Sequence, residues 1–127
     1  MAHGIGAYLG NAWMNALGNA TAFSVAVPYV KLHTGDPGAA GTANPAVETT
    51  RKSVSFGASS AGALASDADI SWTNIAGSED ATHFTCWDAL SAGNFLFSGT
   101  ITANPYTAGD TYTISSGNLT VSLTLAS

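Results

Sequence analysis

The chain has 127 residues, of which 46% are hydrophobic and only 9% are charged, and its formal net charge is −5 at pH 7. This length suits one domain with its own core, and the hydrophobic content excludes a disordered chain. Three basic residues against eight acidic ones leave no extended cationic stripe that could neutralise a phosphate backbone, which excludes nucleic acid as an expected partner.

The first predicted element is a helix over residues 1–19, within a single domain over residues 1–127. Apolar residues in "GIGAYLGNAWMNALGNA" recur at i, i+3 and i+4 and include Tyr8, Trp13 and Leu17. We expect this apolar face to pack on the domain's own sheet. The opposite face is small, polar and uncharged, so a partner backbone could approach it without desolvating an ion. It is therefore predicted to make assembly contacts, and its members are Gly6, Gly10, Asn11 and Asn15.

Over residues 23–127 the periodicity changes to two, which is typical of strands. Six or seven alternating segments recur, and they are "FSVAVPYVKLHT", "RKSVSFGAS", "ADISWTNI", "HFTCWDA", "NFLFSGTIT", "DTYTISS" and "NLTVSLTLAS". Turn signals separate them at intervals that favour antiparallel connections. In the last segment Leu119, Val121, Leu123 and Leu125 alternate with threonine and serine, as expected of a half-buried strand. The sequence therefore predicts a mainly β fold, an antiparallel β-sandwich or a flattened barrel with one N-terminal α-helix.

No group of residues has the spacing of a catalytic or metal site. Asp67 and Asp69 in "SDADIS" share one face of a strand and could hold a hard cation, although two isolated carboxylates favour a solvated turn, and both alternatives stay open. His3, His33 and His83 belong to different predicted elements, so a zinc site would require their convergence in space. Neither a Gly-x-Ser-x-Gly elbow nor a glycosidase-like carboxylate pair is evident. We therefore predict a non-enzymatic protein without a metal or cofactor.

The cysteine and the aromatic residues are expected to belong to the core. Cys86 in "HFTCWDA" has no flanking cation that would lower its pKa, so a small buried hydrophobe is favoured over a reactive thiol. Trp72, Trp87 and Tyr106 could stack on a sugar ring if they were exposed. A sugar-binding protein would need several exposed aromatics on one face, and this alternative remains open.

The low charge also bears on assembly. Ala, Gly, Ser, Thr and Asn must cover most of the exterior, whereas a cytosolic monomer carries more charge for solubility. This composition indicates burial against neighbouring subunits, so a homo-oligomer is expected. No apolar run approaches the roughly 20 residues of a membrane span, and the N-terminus has no signal-peptide pattern, which predicts synthesis in the cytoplasm and no membrane partner.

Four segments occur in a characteristic order, and they are "YVKLHTGDPGAAGT", "RKSVSFGASSAG", "THFTCWDALSAGNFLFSGTI" and "TAGDTYTISSGNLTVSLT". In this order the chain resembles, over nearly its whole length, a family of small virion structural proteins of actinobacterial and related tailed bacteriophages. Members are usually described as tail-fibre or minor tail proteins, and related β-domains decorate phage capsids.

The resemblance implies a non-enzymatic virion protein made in the host cytoplasm, with the major capsid protein or tail proteins as partners. Capsid decoration is preferred, because no shaft or repeat is evident. A minor tail or tail-fibre protein is the first alternative, and a carbohydrate-binding module for the host surface is the second.

Within this resemblance "HTGDPGAAGT" is a strand end followed by a turn and an extended arm over residues 35–50. Pro37 fixes φ, Gly38 permits a positive φ, and residues 38–46 contain no side chain large enough to fold back on the core. The arm is expected to lie along a neighbouring subunit. Its predicted contacts are Asp36, Pro37 and Gly38.

Overall fold

The structure is a computed structural model that describes residues 4–126, and within that range the chain forms one helix and eight strands. The elements are α1 (Ala7–Gly18), β1 (Tyr29–His33), β2 (Lys52–Ser53), β3 (Ala63–Ala65), β4 (Ile70–Trp72), β5 (His83–Trp87), β6 (Phe95–Thr100), β7 (Tyr112–Ile114) and β8 (Thr120–Ser122). A mainly β fold with one N-terminal helix is thus confirmed.

The strands of the described residues form three antiparallel sheets. One has four strands in the order β2-β1-β5-β6, and the other two are the pairs β3-β8 and β4-β7. A single hydrophobic core joins the sheets. No closed barrel forms within residues 4–126, so the alternative of a flattened barrel is wrong. No helix in this range has the length and apolar content that crossing a bilayer requires.

The four-stranded sheet has two different faces, because side chains alternate along each strand. On the inner face Val30 and Leu32 of β1 lie beside Phe84 and Cys86 of β5, and all four are fully buried. The outer face carries the residues that alternate with these along each strand. In β1 and β5 these are Tyr29, Lys31, His33, His83, Thr85 and Trp87.

Residues 4–6 cover the outer edge of β6. The amide of Gly6 donates a hydrogen bond to the Leu96 carbonyl at 2.7 Å, and the Ser98 amide donates one to the Gly4 carbonyl at 2.8 Å. A Cβ atom on Gly6 would lie 3.0 Å from that Leu96 oxygen, so glycine permits this close approach. The helix therefore begins only at Ala7, later than predicted, because the preceding residues are extended and pair with the sheet.

The helix packs on the domain through a narrower face than predicted. Within α1 only Leu9 is buried, while Trp13 is partly buried against the core. Tyr8 is 43% exposed and Leu17 is 81% exposed, so the prediction that both pack on the sheet is wrong. The sheet covers only the start of the helix, and the apolar stripe continues beyond it into solvent.

The segment predicted as an extended arm over residues 35–50 instead folds back on the four-stranded sheet. The Thr34 amide donates a hydrogen bond to the Asn44 carbonyl at 2.9 Å, and the Ala46 amide donates one to the Leu32 carbonyl at 3.1 Å. Pro37 is buried, and the α-carbon of Gly41 lies close to the ring of Phe95. The segment is therefore not extended away from the domain, because small residues allow the backbone itself to pack closely on the sheet.

Candidate functional site

The four predicted contacts on the helix face lie in three different environments. Gly6 is buried in the pairing with β6, so a partner could not reach it. Gly10 is partly buried, and a Cβ there would lie 3.9 Å from Cγ2 of Ile5. Asn11 and Asn15 are exposed, and Asn15 Oδ1 accepts a hydrogen bond from Asn19 Nδ2 at 3.0 Å. Asn11 and Asn15 thus remain available to a partner.

The three predicted contacts in the loop after β1 form its first turn. Asp36 Oδ1 accepts a hydrogen bond from the Gly38 amide at 2.9 Å, and Gly38 has φ of +78°. Pro37 between them is buried, and its carbonyl accepts a hydrogen bond from the Ala43 amide at 2.8 Å. The turn therefore holds this chain's own loop, and its proline is closed to a partner.

The far end of α1 and the C-terminal residues expose apolar side chains that sequence analysis assigned to the interior or did not single out. Met14 is 61% exposed, Leu123 is 47% exposed and Leu125 is 54% exposed. Between α1 and the β3-β8 pair lies a cleft of about 330 Å³ with an almost entirely apolar lining. The large apolar side chains that line this cleft are those of Leu9, Trp13, Leu64, Phe97, Val121 and Leu123.

A second cluster, on the outer face of the four-stranded sheet, combines aromatic rings with positive charge. Tyr29 lies opposite Trp87 in the β1-β5 pairing, and the rings of Trp87 and Phe95 are 5.6 Å apart. Cζ of Arg51 lies 4.3 Å from the centre of the Trp87 ring. All four residues are half-buried. Lys31 shares this face, and we call the five residues the aromatic–cationic face.

Burial and mutual repulsion shape the charges on this face. Burial lowers the pKa of Lys31, and the nearby Arg51 guanidinium lowers it further. Burial also lowers the pKa of Arg51, which the Asp88 carboxylate partly offsets. Sequence analysis missed this cluster, because it arises from strand pairing and not from a local motif.

A buried histidine links the same face to the loop after β1. His33 Nδ1 donates to the Ala43 carbonyl at 2.8 Å, and His33 Nε2 accepts from the Thr85 hydroxyl at 2.9 Å. The Thr85 oxygen in turn accepts from Trp87 Nε1 at 2.8 Å. When the imidazole is neutral, both ring nitrogens of His33, the Thr85 hydroxyl and the Trp87 indole N–H each have a hydrogen-bond partner. Burial accordingly lowers the pKa of His33, with the Ala43 hydrogen bond opposing it.

The carboxylates and histidines weighed as possible ligands have structural partners. Asp67 accepts a hydrogen bond from the Ser55 hydroxyl, and Asp69 Oδ1 accepts one from the Ser116 amide at 2.8 Å. No group of three or more His, Cys, Asp or Glu among residues 4–126 could hold a metal ion. His3 lies outside the described residues. Asp67 and Asp69 therefore link their segment to Ser55 and to Ser116.

Two further acidic side chains cap loops in the same manner. Glu48 Oε1 accepts from the Ala76 amide at 3.0 Å, and Glu79 Oε2 accepts from the Val47 amide at 2.8 Å. Cys86 is buried, and its burial raises the thiol pKa to about 12. These groups contribute to the fold and do not converge on a reaction centre.

Comparison with models of protein families gives a match, which spans almost all of the described residues. The family model described as "Podophage GP4 fiber I protein gp80" matches residues 4–122. The match includes α1, all eight strands and the aromatic–cationic face. A search of curated proteins found no match.

Proposed function

We propose, because the chain belongs to the family of the podophage GP4 fiber I protein gp80, that it is a structural subunit of a phage tail fibre. Membership of this family makes the chain a phage virion structural protein, as the sequence resemblance implied. The family match over residues 4–122 is the observation that carries the fibre assignment. Sequence analysis prefers capsid decoration because no shaft or repeat is evident, but a single domain without a shaft serves equally well as one module of a fibre.

A structural subunit works through its contacts, and the described surface offers a suitable region. The outward side of α1 combines the exposed amides of Asn11 and Asn15 with the exposed apolar side chains of Met14 and Leu17. None of these residues is charged, so burying them against another subunit carries no ionic desolvation cost. In this proposal they contact a further copy of the chain or another tail protein. The role is non-enzymatic.

The location is tested by separating heads from tails in purified virions and quantifying the protein in each fraction. A fibre subunit is expected with the tails, at a small number of copies per particle. A copy number on the scale of the capsid lattice, recovered with heads, would support capsid decoration instead.

The contact surface is tested with two exposed leucines that differ in position. Leu17 on α1 is 81% exposed and Leu90 in the loop after β5 is 60% exposed. Neither Leu17→Glu nor Leu90→Glu is expected to change the folded circular dichroism spectrum, because neither removes a core side chain. Only Leu17→Glu is expected to prevent incorporation into virions. Normal incorporation of Leu17→Glu would show that this end of the helix faces solvent.

A further inference from the structure

We propose that the aromatic–cationic face binds an acidic polysaccharide, with Lys31 and Arg51 holding an anionic group and Tyr29 and Trp87 contacting the sugar ring. This inference concerns a ligand and does not depend on whether the protein is part of a fibre or of the capsid shell. It is carried by the placement of the charges, by the way Arg51 is held, and by the aromatic residues beside them.

The positive charges of the chain converge on one region. The chain has three basic residues and a net charge of −5, yet Lys31 lies in β1, Lys52 begins β2 and Arg51 directly precedes it. Val30 lies opposite Lys52, and continuing this register by one residue places Arg51 opposite Lys31 on the outer face. Among residues 4–126 the Lys31 ammonium has no hydrogen-bond or ion-pair partner. The Asp88 carboxylate attracts Arg51, whereas Lys31 lies beside a like charge without an ion-pair partner. An anion close to Lys31 and Arg51 would relieve their repulsion.

Arg51 is held in place by one side of its guanidinium group. Nη1 donates to the Ala89 carbonyl at 2.8 Å and to the Ala92 carbonyl at 2.7 Å, and the group lies over the ring of Trp87. No hydrogen bond within the described residues uses Nε or Nη2. The free edge of an immobilised guanidinium matches the two oxygens of a carboxylate or phosphate, and little side-chain entropy remains to be lost on binding.

The aromatic residues meet in part the requirement that sequence analysis set for a sugar-binding protein, because they share one face but are half-buried. Tyr29, Trp87 and Phe95 share one face of one sheet and are each partly exposed. The indole N–H of Trp87 donates to Thr85 and its ring lies against Arg51 and Phe95, so a sugar would contact the part of the ring that stays exposed. Aromatic rings beside donors of fixed geometry suit the apolar face and the polar substituents of a sugar.

The same geometry argues against other anionic polymers. An extended acidic peptide binds most readily to an open strand edge, but β1 is paired on both sides and the edge strand β2 is only two residues long. A nucleic acid would meet three positive charges on a protein with a net charge of −5. The sheet face offers flat rings and two cations, which favours a sugar that carries isolated carboxylate or phosphate groups.

The test is isothermal titration of the full chain with polygalacturonate, with neutral dextran, poly-glutamate and single-stranded DNA as comparison polymers. The expected result is binding of polygalacturonate that weakens with added salt, and no binding of dextran. Lys31→Glu should reduce the affinity roughly tenfold or more, since a charge-assisted contact becomes a repulsion. Lys52→Glu is the matched control, because it makes the same change of charge at a residue that lies opposite Val30 and away from the outer face. The affinity of this variant for polygalacturonate should stay within about twofold of that of the unmodified protein.

Each other outcome contradicts the proposal. No binding of polygalacturonate, or equal losses in Lys31→Glu and Lys52→Glu, would show that the face holds no specific anion. Tighter binding of poly-glutamate or of DNA would assign the surface to a different class of partner. Tyr29→Leu keeps the bulk of the side chain but removes the ring, so unchanged affinity in this variant would exclude stacking on the sugar.

Discussion

The fold of the loop after β1 can be tested with two glycines that differ in the space available for a Cβ atom. Gly38 and Gly41 both have positive φ, +78° and +73°. A Cβ on Gly38 would lie 3.7 Å from Cβ of Ala43, which is an ordinary contact, whereas a Cβ on Gly41 would lie 2.5 Å from Cδ1 of Phe95. Gly38→Ala should therefore cost about 1 to 2 kcal/mol in free energy of unfolding, from backbone conformation alone. Gly41→Ala adds overpacking against the ring and should cost about 2 to 5 kcal/mol.

The measurement is urea denaturation followed by circular dichroism, with both variants at the same pH. A double-mutant cycle then identifies the ring as the cause: in a Phe95→Leu background the cost of Gly41→Ala should fall towards that of Gly38→Ala. Equal costs of the two single variants would refute the reasoning, because they would mean that the loop does not lie on Phe95. An extended arm over residues 35–50 would then be the better description.

Three further predictions follow from buried groups. Burial raises the pKa of the Cys86 thiol to about 12, so iodoacetamide at pH 8 should label it only in denaturant, and labelling of the native protein seen by mass spectrometry would contradict its burial. Burial lowers the pKa of His33 below its ordinary value of 6.5, so the unfolded chain binds the proton more tightly; stability should be full above about pH 6.5 and fall as the pH drops below it. An identical loss of urea stability between pH 7 and 5 in His33→Gln would assign this effect to another group. Trp72→Phe removes the indole hydrogen bond of 2.8 Å to the Thr50 carbonyl and should cost about 1 to 3 kcal/mol in free energy of unfolding, whereas a neutral result would mean that water replaces the donor.

The strand pattern could be predicted from the sequence because it depends on local alternation. Val30 and Leu32 are fully buried, and the residues beside them occupy the outer face, as the period of two indicated. The order of the strands in the sheets depends on contacts between distant segments, which one sequence does not reveal. The same limit explains the exposure of Leu123 and Leu125, because alternation does not show that β8 ends at Ser122 or whether another layer covers the residues beyond it.

The unexpected environments of several predicted contact residues have two physical causes. The helical pattern showed which residues share a face, but it could not show that residues 4–6 would pair with β6 and bury Gly6. In the loop after β1, small side chains were interpreted as unable to pack, although their size is what lets the backbone approach Phe95. Arg51 and Trp87 meet only when β2 and β5 flank β1, so their contact could not be predicted.

The pairing of residues 4–6 with β6 also constrains the order of events during synthesis. The Gly4 amide donates to Ser98 Oγ at 2.9 Å across 94 positions of sequence. Residues 4–6 therefore find their partner only after the 94 positions up to Ser98 have been synthesised, which at roughly 5 to 20 residues per second takes several seconds. Such a high sequence separation also slows folding of the complete chain. Until that last pairing forms, the edge of β6 is open to strands of other nascent copies, so residues 4–6 protect the growing protein from misassembly as well as completing its sheet.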